Sequence, residues 1–223
     1  MEKEGEIRYW RAIHNDVDEE MKNLDGILLV LHDSMEFTQL IDFFNKIKSN
    51  HFTNVLYVSL TRSHDYMRHA LEQKPLDQKR VFFIDCVSGF AFPVEENIDR
   101  VLYHKPPRDL HTMKEIIHYG IEKTNPDIVI IDSLSQLINF SKPTGEELDE
   151  FYNFLHDLRK QEISMVCNTF ILLFDAKMGA LAHLPSQGID TILKLEMSKP
   201  TKLPLETSFL FGEKKALSSE LLH

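Results

Sequence analysis

Glycine, cysteine and long apolar runs are all scarce in this chain of 223 residues, and each shortage excludes a class of protein. Two cysteines, Cys86 and Cys167, are too few for a disulfide framework, which predicts a reducing compartment. The opening residues lack the apolar stretch of a secretory signal, and no apolar run approaches the roughly 20 residues that span a bilayer. We therefore expect a cytoplasmic protein that does not bind membranes.

Basic residues are also outnumbered. The chain has 25 lysines and arginines against 35 aspartates and glutamates, which gives a formal net charge of −10. An acidic chain lacks the positive field that attracts polyanions, so we expect no nucleic-acid partner. Hydrophobic residues make up 43% and charged residues 27% of the chain, a balance typical of a folded globular domain.

The glycines are placed where they cannot serve the common phosphate-binding motifs. None of the eight lies between Gly26 and Gly89, and none is followed by lysine. A P-loop, a dinucleotide-binding G-x-G-x-x-G turn and a hydrolase G-x-S-x-G elbow are therefore all absent. The eleven histidines include no pair spaced four residues apart, so the sequence predicts no metal site.

The apolar residues alternate between strand-like and helix-like spacing. Continuous apolar runs predict buried strands at 27–31, 55–60, 81–85, 127–132, 170–174 and 189–195, with a short extra strand at 100–103. Helix-like spacing and helix caps separate these runs. Strands that are apolar on both sides and alternate with helices predict an α/β fold with a mostly parallel sheet and helices on both faces.

Three segments are predicted along the chain. Residues 1–25 carry an amphipathic helix whose apolar stripe runs from Trp10 to Leu24, and 26–197 form the core domain. Residues 198–223 are expected to add an edge strand and a tail helix. The first helix either docks on the sheet or binds a partner. Within the core, a helix is expected over 35–48, and capping boxes at 112–115 and 144–147 predict two further helix starts.

The strand ends are the expected ligand site, because ligands of parallel α/β sheets bind at the carboxyl edge. Polar residues follow four of the predicted strands there. They are His32, Asp33 and Ser34, then Thr61 and Arg62, then Asp85, and finally Asp132 and Ser133. We expect these residues to converge at one edge.

The run Asp-Ile-Val-Ile-Ile-Asp-Ser-Leu-Ser at 127–135 resembles the Walker B strand of RecA-superfamily ATPases, and in particular of the archaeal KaiC-like proteins. The segments at 55–60, 82–88 and 189–195 are similar to other strands of that family and occur in the same order. The resemblance covers about residues 24–196. It implies a RecA-like sheet, assembly between subunits, and Asp132 as the Walker B carboxylate.

The departures from the family pattern predict that ATP hydrolysis has been lost. The phosphate-loop position reads His32, Asp33, Ser34, Met35 and Glu36, with neither glycine nor lysine. Its two carboxylates would repel a phosphate at the helix start. Where the family has its catalytic acid, this chain has a threonine followed by an arginine. The Walker B aspartate is either a buried cap or a remaining metal ligand.

Three functions are compatible with these residues. The leading hypothesis is a non-catalytic regulatory, scaffolding or assembly protein without a cofactor, which binds a protein partner or a second copy of itself. The alternative is a nucleotide-binding protein or weak ATPase that uses ATP and Mg²⁺ at an unconventional site formed by 32–36, Thr61, Asp85 and Asp132. A small-molecule sensor that uses the same crevice is the third.

Overall fold

The structure is a computed structural model, and it describes residues 7–11, 26–32, 54–73, 80–91, 99–160, 167, 169–178 and 188–196. The strands are β1 (Ile7–Arg11), β2 (Gly26–His32), β3 (Val55–Ser59), β4 (Val81–Asp85), β5 (Val101–Tyr103), β6 (Ile128–Asp132), β7 (Thr169–Asp175) and β8 (Thr191–Glu196). The helices are α1 (His64–Gln73), α2 (Ser88–Ala91), α3 (Leu110–Thr124), α4 (Leu134–Ser141) and α5 (Gly145–Lys160).

The described strands form one eight-stranded sheet in the order β1-β8-β2-β7-β6-β3-β4-β5. Every pair of neighbours in it is parallel. All residues of β6 and β7 are buried, as expected for strands covered on both faces. The predicted α/β fold with a parallel sheet is therefore confirmed.

Helices cover both faces of this sheet, each over its own apolar core. On one face, strand residues such as Leu29, Leu56 and Val129 pack in a single cluster with buried residues of α3, α4 and α5. On the other face, alternate strand residues pack with Met67 and Leu71 of α1. The two clusters follow from the two-residue period of a strand, which sends successive side chains to opposite faces.

The amino-terminal prediction needs a correction. Residues 7–11 form strand β1 and pair with β8, so Trp10 lies in a strand and does not begin a helix. The segment is rich in strand-favouring residues, and the edge of β8 supplies its hydrogen-bonding partner. The rest of that predicted helix lies outside the described residues, as do 35–48, the edge strand at 205–211 and the tail helix at 213–223. The three-part division of the chain stays a prediction.

Three helix starts also differ from expectation, and one predicted capping box agrees. Helix α3 begins at Leu110, because Asp109 accepts a hydrogen bond from the Thr112 amide at 2.7 Å; the capping box predicted at 112–115 is therefore wrong. Helix α4 was not predicted, and neither was the short helix α2, which lies in a segment, 87–99, expected to be irregular. The capping box of α5 is confirmed, since Thr144 and Glu147 bond reciprocally at 2.7 and 3.2 Å.

Candidate functional site at the carboxyl edge of the sheet

Three strands bring polar residues side by side at the carboxyl edge of the sheet. Ser59, the last residue of β3, is in register with Asp132 at the end of β6 and with Asp85 at the end of β4. All three side chains are buried. The sheet register therefore produces a row of two carboxylates with a hydroxyl between them.

Asp132 is paired inside the protein. Asp132 is only 1% exposed. Its Oδ2 accepts hydrogen bonds from the Arg62 guanidinium and, at 2.5 Å, from the Tyr57 hydroxyl. The guanidinium and the carboxylate also form a salt bridge whose arginine side chain is only 17% exposed. A buried charge is tolerated when it is paired and hydrogen-bonded, and both conditions hold here.

The turn after β3 delivers Arg62 to this carboxylate. The Leu60 amide donates to the Asp132 carbonyl at 2.5 Å, which ties the turn to β6. The Ser59 hydroxyl donates to the Arg62 carbonyl at 2.6 Å and accepts from the Arg62 amide at 3.1 Å. These bonds close a tight turn directly beside the end of β6. Thr61 contributes its hydroxyl oxygen, which accepts from the Arg62 guanidinium at 3.3 Å.

The pKa values of both side chains that bind Asp132 are raised. Burial, followed by the neighbouring Asp132 carboxylate, raises the pKa of Tyr57 well above its ordinary value, so its hydroxyl remains a donor. Burial is the largest influence on Arg62 and disfavours its cation, but the charge of Asp132, its hydrogen bond and the nearby tyrosines together outweigh burial and raise the pKa of the guanidinium. Arg62 therefore remains cationic and balances the negative charge of Asp132.

The Asp85 carboxylate, in contrast, binds mainly backbone amides. It is 0% exposed and accepts four hydrogen bonds: from the His64, Val87 and Ser88 amides at 2.6, 2.7 and 2.8 Å, and from the Ser88 hydroxyl at 2.7 Å. Its two oxygens thus bind the starts of both α1 and α2. Such a carboxylate is a helix cap shared between two helices.

The remaining predicted residues lie around this row. Ser133 caps α4 and its hydroxyl lies 2.9 Å from that of Ser135, which in turn accepts from the Asp175 amide at 3.2 Å. His32 is buried at the end of β2, and its carbonyl accepts from the Ala176 amide at 2.8 Å. Strand β7 separates β2 from β6, so His32 is two strands away from Asp132.

The structure thus brings Thr61, Arg62 and Asp132 together and places Asp85 beside them but in a separate hydrogen-bond network. The other phosphate-loop residues, Asp33, Ser34, Met35 and Glu36, lie outside the described residues. Sequence reasoning missed two members of the site, Tyr57 and Ser59. Both are polar residues in a predicted buried strand, and a buried hydroxyl usually has a specific partner.

Neither carboxylate of the row has both oxygens open to a Mg²⁺ ion. Magnesium requires near-octahedral oxygen ligands, one or two of which are usually carboxylates. Oδ2 of Asp132 already carries a guanidinium and a phenol, and both oxygens of Asp85 accept from the chain itself. Within the described ranges, no three His, Cys, Asp or Glu residues are grouped as a metal site.

Asp190 lies in a segment that resembles a late strand of the family. In the structure it is found at the amino-terminal ends of the strands, opposite the candidate site. Its Oδ2 accepts from the Ile27 amide at 2.7 Å and from the Arg159 guanidinium at 3.1 Å. It therefore joins the beginning of β2 to α5 and to the segment before β8. Asp190 is a structural residue and is not part of the candidate site.

Comparison with known proteins gives matches among solved structures, whereas no protein-family model and no curated protein matches. The chain is similar to a KaiC-like protein from the hyperthermophilic archaeon Pyrococcus horikoshii OT3, with 15% identity and a TM-score of 0.46, over 68% of this chain and 63% of that one. The match thus spans less than two thirds of the Pyrococcus protein. A second similar structure is the flagellar accessory protein FlaH from Methanocaldococcus jannaschii, with 14% identity and a TM-score of 0.47, over 78% of this chain and 71% of that one.

The Pyrococcus protein is named as KaiC-like, the group that the sequence motifs resemble. The parallel α/β class is established by the strand order and register of this chain. The two likenesses concern the fold and carry no information about activity. Of the helices described here, none combines the length and apolar character needed to cross a membrane.

Proposed function

We propose that this chain is a non-catalytic protein with a RecA-like, KaiC-like fold, which acts through its surfaces in the cytoplasm as a regulatory, scaffolding or assembly partner. One observation carries the proposal: the carboxylate at the Walker B position is buried and neutralised by Arg62. The expected partner is a protein or a second copy of the chain, and no cofactor is required.

The ion pair opposes metal binding at Asp132. A Mg²⁺ ion could reach Oδ2 only if the guanidinium moved away, and separating a buried ion pair costs about 3–5 kcal/mol when the other charge is left behind. A guanidinium that stayed nearby would repel the ion. Both effects disfavour the metal on which nucleotide hydrolysis by this family depends.

The position of Arg62 also opposes acid–base catalysis. Where the family resemblance places the acid that activates water, this chain has a guanidinium, which cannot accept a proton at neutral pH. Asp85, the nearest other described carboxylate in the row, has both oxygens occupied by donors of its own chain. Neither carboxylate of the row is thus suited to be the general base.

Thermal unfolding with and without nucleotide tests the proposal. A ligand present at 100 times its dissociation constant stabilises a protein by about 2.7 kcal/mol, which shifts the melting temperature of a domain of this size by roughly 5–10 °C. We expect no shift with millimolar Mg·ATP or Mg·ADP, and no phosphate release.

Two aspartate variants identify the site if a shift does occur. A shift that Asp132→Asn abolishes, and that Asp149→Asn on the exposed face of α5 leaves intact, would establish nucleotide binding and refute the proposal. A matched control is needed because both variants remove one negative charge.

Light scattering over a range of concentrations addresses assembly. A molar mass that rises with concentration supports self-association. A constant monomer mass restricts the proposal to a different protein as partner, which affinity capture with the full chain would then have to find.

A further inference from the structure

A cavity lies at the amino-terminal ends of the strands, whereas the candidate site lies at their carboxyl-terminal ends. Its volume is about 620 Å³, and it is formed where β3, β4 and β5 begin and α3 ends. Pockets that bind small ligands usually measure roughly 300–1,000 Å³. The cavity is therefore large enough for a small organic molecule.

The polar lining of this cavity is basic. Arg80, Arg100 and Lys123 line it together with one acid, Asp99. This local excess of positive charge occurs in a chain whose formal net charge is −10. Cations that line one cavity repel one another, and an anion between them would relieve that repulsion.

The backbone and neighbouring rings hold two of these cations at the cavity. Arg100 has a φ of 60°, and its carbonyl accepts from the Phe83 amide at 2.8 Å, which fixes the residue just before β5. The ammonium of Lys123 donates a hydrogen bond to the Tyr119 hydroxyl at 3.2 Å and lies 5.8 Å from the centre of the Phe82 ring. Lys123 also complements the carboxyl end of α3, but that role does not account for the two arginines.

An apolar wall completes the cavity. Phe82 and Leu102 line it and are only half-buried, so both offer apolar surface to a ligand. Charged groups on one side and apolar surface on the other are complementary to a molecule that has both characters.

We infer that this cavity binds a small organic anion, with its negatively charged group facing Arg100 and Lys123 and its apolar part against Phe82 and Leu102. This site is separate from the carboxyl edge and does not depend on the proposed function. Arg80 adds positive charge to the same cavity.

Fluorescence titration of the full chain with 8-anilinonaphthalene-1-sulfonate, an aromatic anion, tests the inference. We expect saturable binding with one site per chain, which weakens in 1 M salt because screening shortens the reach of the charges. N-phenyl-1-naphthylamine, which has the same rings without the sulfonate, should bind at least tenfold more weakly.

Three variants locate the binding. Lys123→Gln and Arg100→Asn should each weaken it about three- to fivefold, the range of a partly exposed charge pair, and the double variant should weaken it at least tenfold. Asparagine is chosen for residue 100 because it tolerates a positive φ. Lys105→Gln removes the same charge from an exposed position beyond the other end of β5 and should leave binding unchanged.

Several results would overturn the inference. These are the absence of saturable binding, equal binding of the neutral naphthylamine, or equal weakening by Lys105→Gln. Near-ultraviolet circular dichroism verifies that each variant is folded. If a variant proves unfolded, the salt dependence and the neutral compound still decide the question with the unaltered chain.

Discussion

Replacing Arg62 by methionine is the most direct perturbation of the candidate site. The substitution retains an unbranched apolar stem but removes the guanidinium, which leaves the Asp132 carboxylate, 1% exposed, with only the Tyr57 hydroxyl on its Oδ2. Removal of one partner from a buried ion pair costs about 3–5 kcal/mol, since the other charge remains desolvated. Domains are typically stable by about 5–15 kcal/mol, so this variant should lose a large part of its stability.

Urea unfolding at pH 7, followed by far-ultraviolet circular dichroism, measures the loss. With a slope near the upper end of the usual range, about 3 kcal/mol per molar urea, the midpoint should fall by roughly 1–1.7 M. The double variant with Asp132→Asn should recover at least half of the loss, because it no longer buries an unpaired charge. This recovery separates the pair interaction from a simple packing defect.

A matched control uses a solvent-exposed arginine. Arg68 on α1 also contacts carboxylates, but its side chain is 48% exposed, and exposed pairs contribute about 0–1 kcal/mol. Arg68→Met should therefore change stability by less than about 1 kcal/mol. The charge pairing is refuted if Arg62→Met lowers the free energy of unfolding no more than this control does, or if the double variant recovers none of the loss. Either result would mean that Arg62 does not compensate a buried charge on Asp132.

Three further perturbations have defined outcomes. Asp85→Asn should lower the unfolding free energy in urea titrations by about 2–4 kcal/mol, because an amide cannot accept all four hydrogen bonds of the carboxylate, and a loss below about 0.5 kcal/mol would contradict its capping role. Gly120→Ala should cost about 1–2 kcal/mol, since its Cβ would lie 2.6 Å from a buried leucine methyl, whereas Gly145→Ala, which faces open space, should be nearly neutral in the same assay. Burial raises the pKa of Cys86 and Cys167 from 9.0 to about 12, so both thiols should react with a disulfide reagent at pH 8 only after unfolding. Fast labelling of the native protein would refute the burial of these thiols. Because their folded-state pKa values exceed the unfolded ones, the stability that the thiols contribute is present below pH 9 and should be lost progressively as the pH rises from 9 to 12, which urea titrations at several pH values would measure.

The central strands could be predicted because burial on both faces leaves an almost continuous apolar run. Strand β6 and strand β7 illustrate this, since every residue in each is buried. Strand β1 lacks such a run. Its five residues include Arg8 and Arg11, and its conformation depends on pairing with β8, which lies far away in the sequence. Edge strands of this kind are determined by their partner more than by their own pattern.

Helix α4 shows a different reason for a missed element. Ser133 and Gln136 have the spacing of a capping box, and the Ser133 hydroxyl accepts from the Gln136 amide at 3.3 Å. The apolar residues Leu134, Leu137 and Ile138 follow at helical spacing and are buried. The sequence thus contains the pattern of a helix start, but this pattern overlaps the 127–135 motif on which the family resemblance is based.

The candidate site was predictable in its location and unpredictable in its contacts. Strand ends of a parallel sheet meet at one edge, so the sequence placed Asp85, Asp132 and Arg62 correctly near one another. The ion pair depends on the register of Ser59 with Asp132 and on the tight turn that follows, and neither can be inferred from the spacing of residues. The part played by Tyr57 depends on the same register.

The two carboxylates of the row differ in what a ligand would have to displace. Asp85 is held by backbone amides, so releasing it would disrupt the starts of two helices, whereas the partners of Asp132 on Oδ2 are side chains that can rotate. Mg²⁺ alone must compete with the Arg62 guanidinium for that oxygen. A nucleotide could instead draw the guanidinium onto a phosphate and free Asp132 for the metal, because arginine binds phosphate as well as carboxylate. Arg62→Met distinguishes these cases: if Arg62 is only a counterion, the variant gains affinity for Mg²⁺, and if Arg62 receives a phosphate, the variant loses affinity for Mg·ATP.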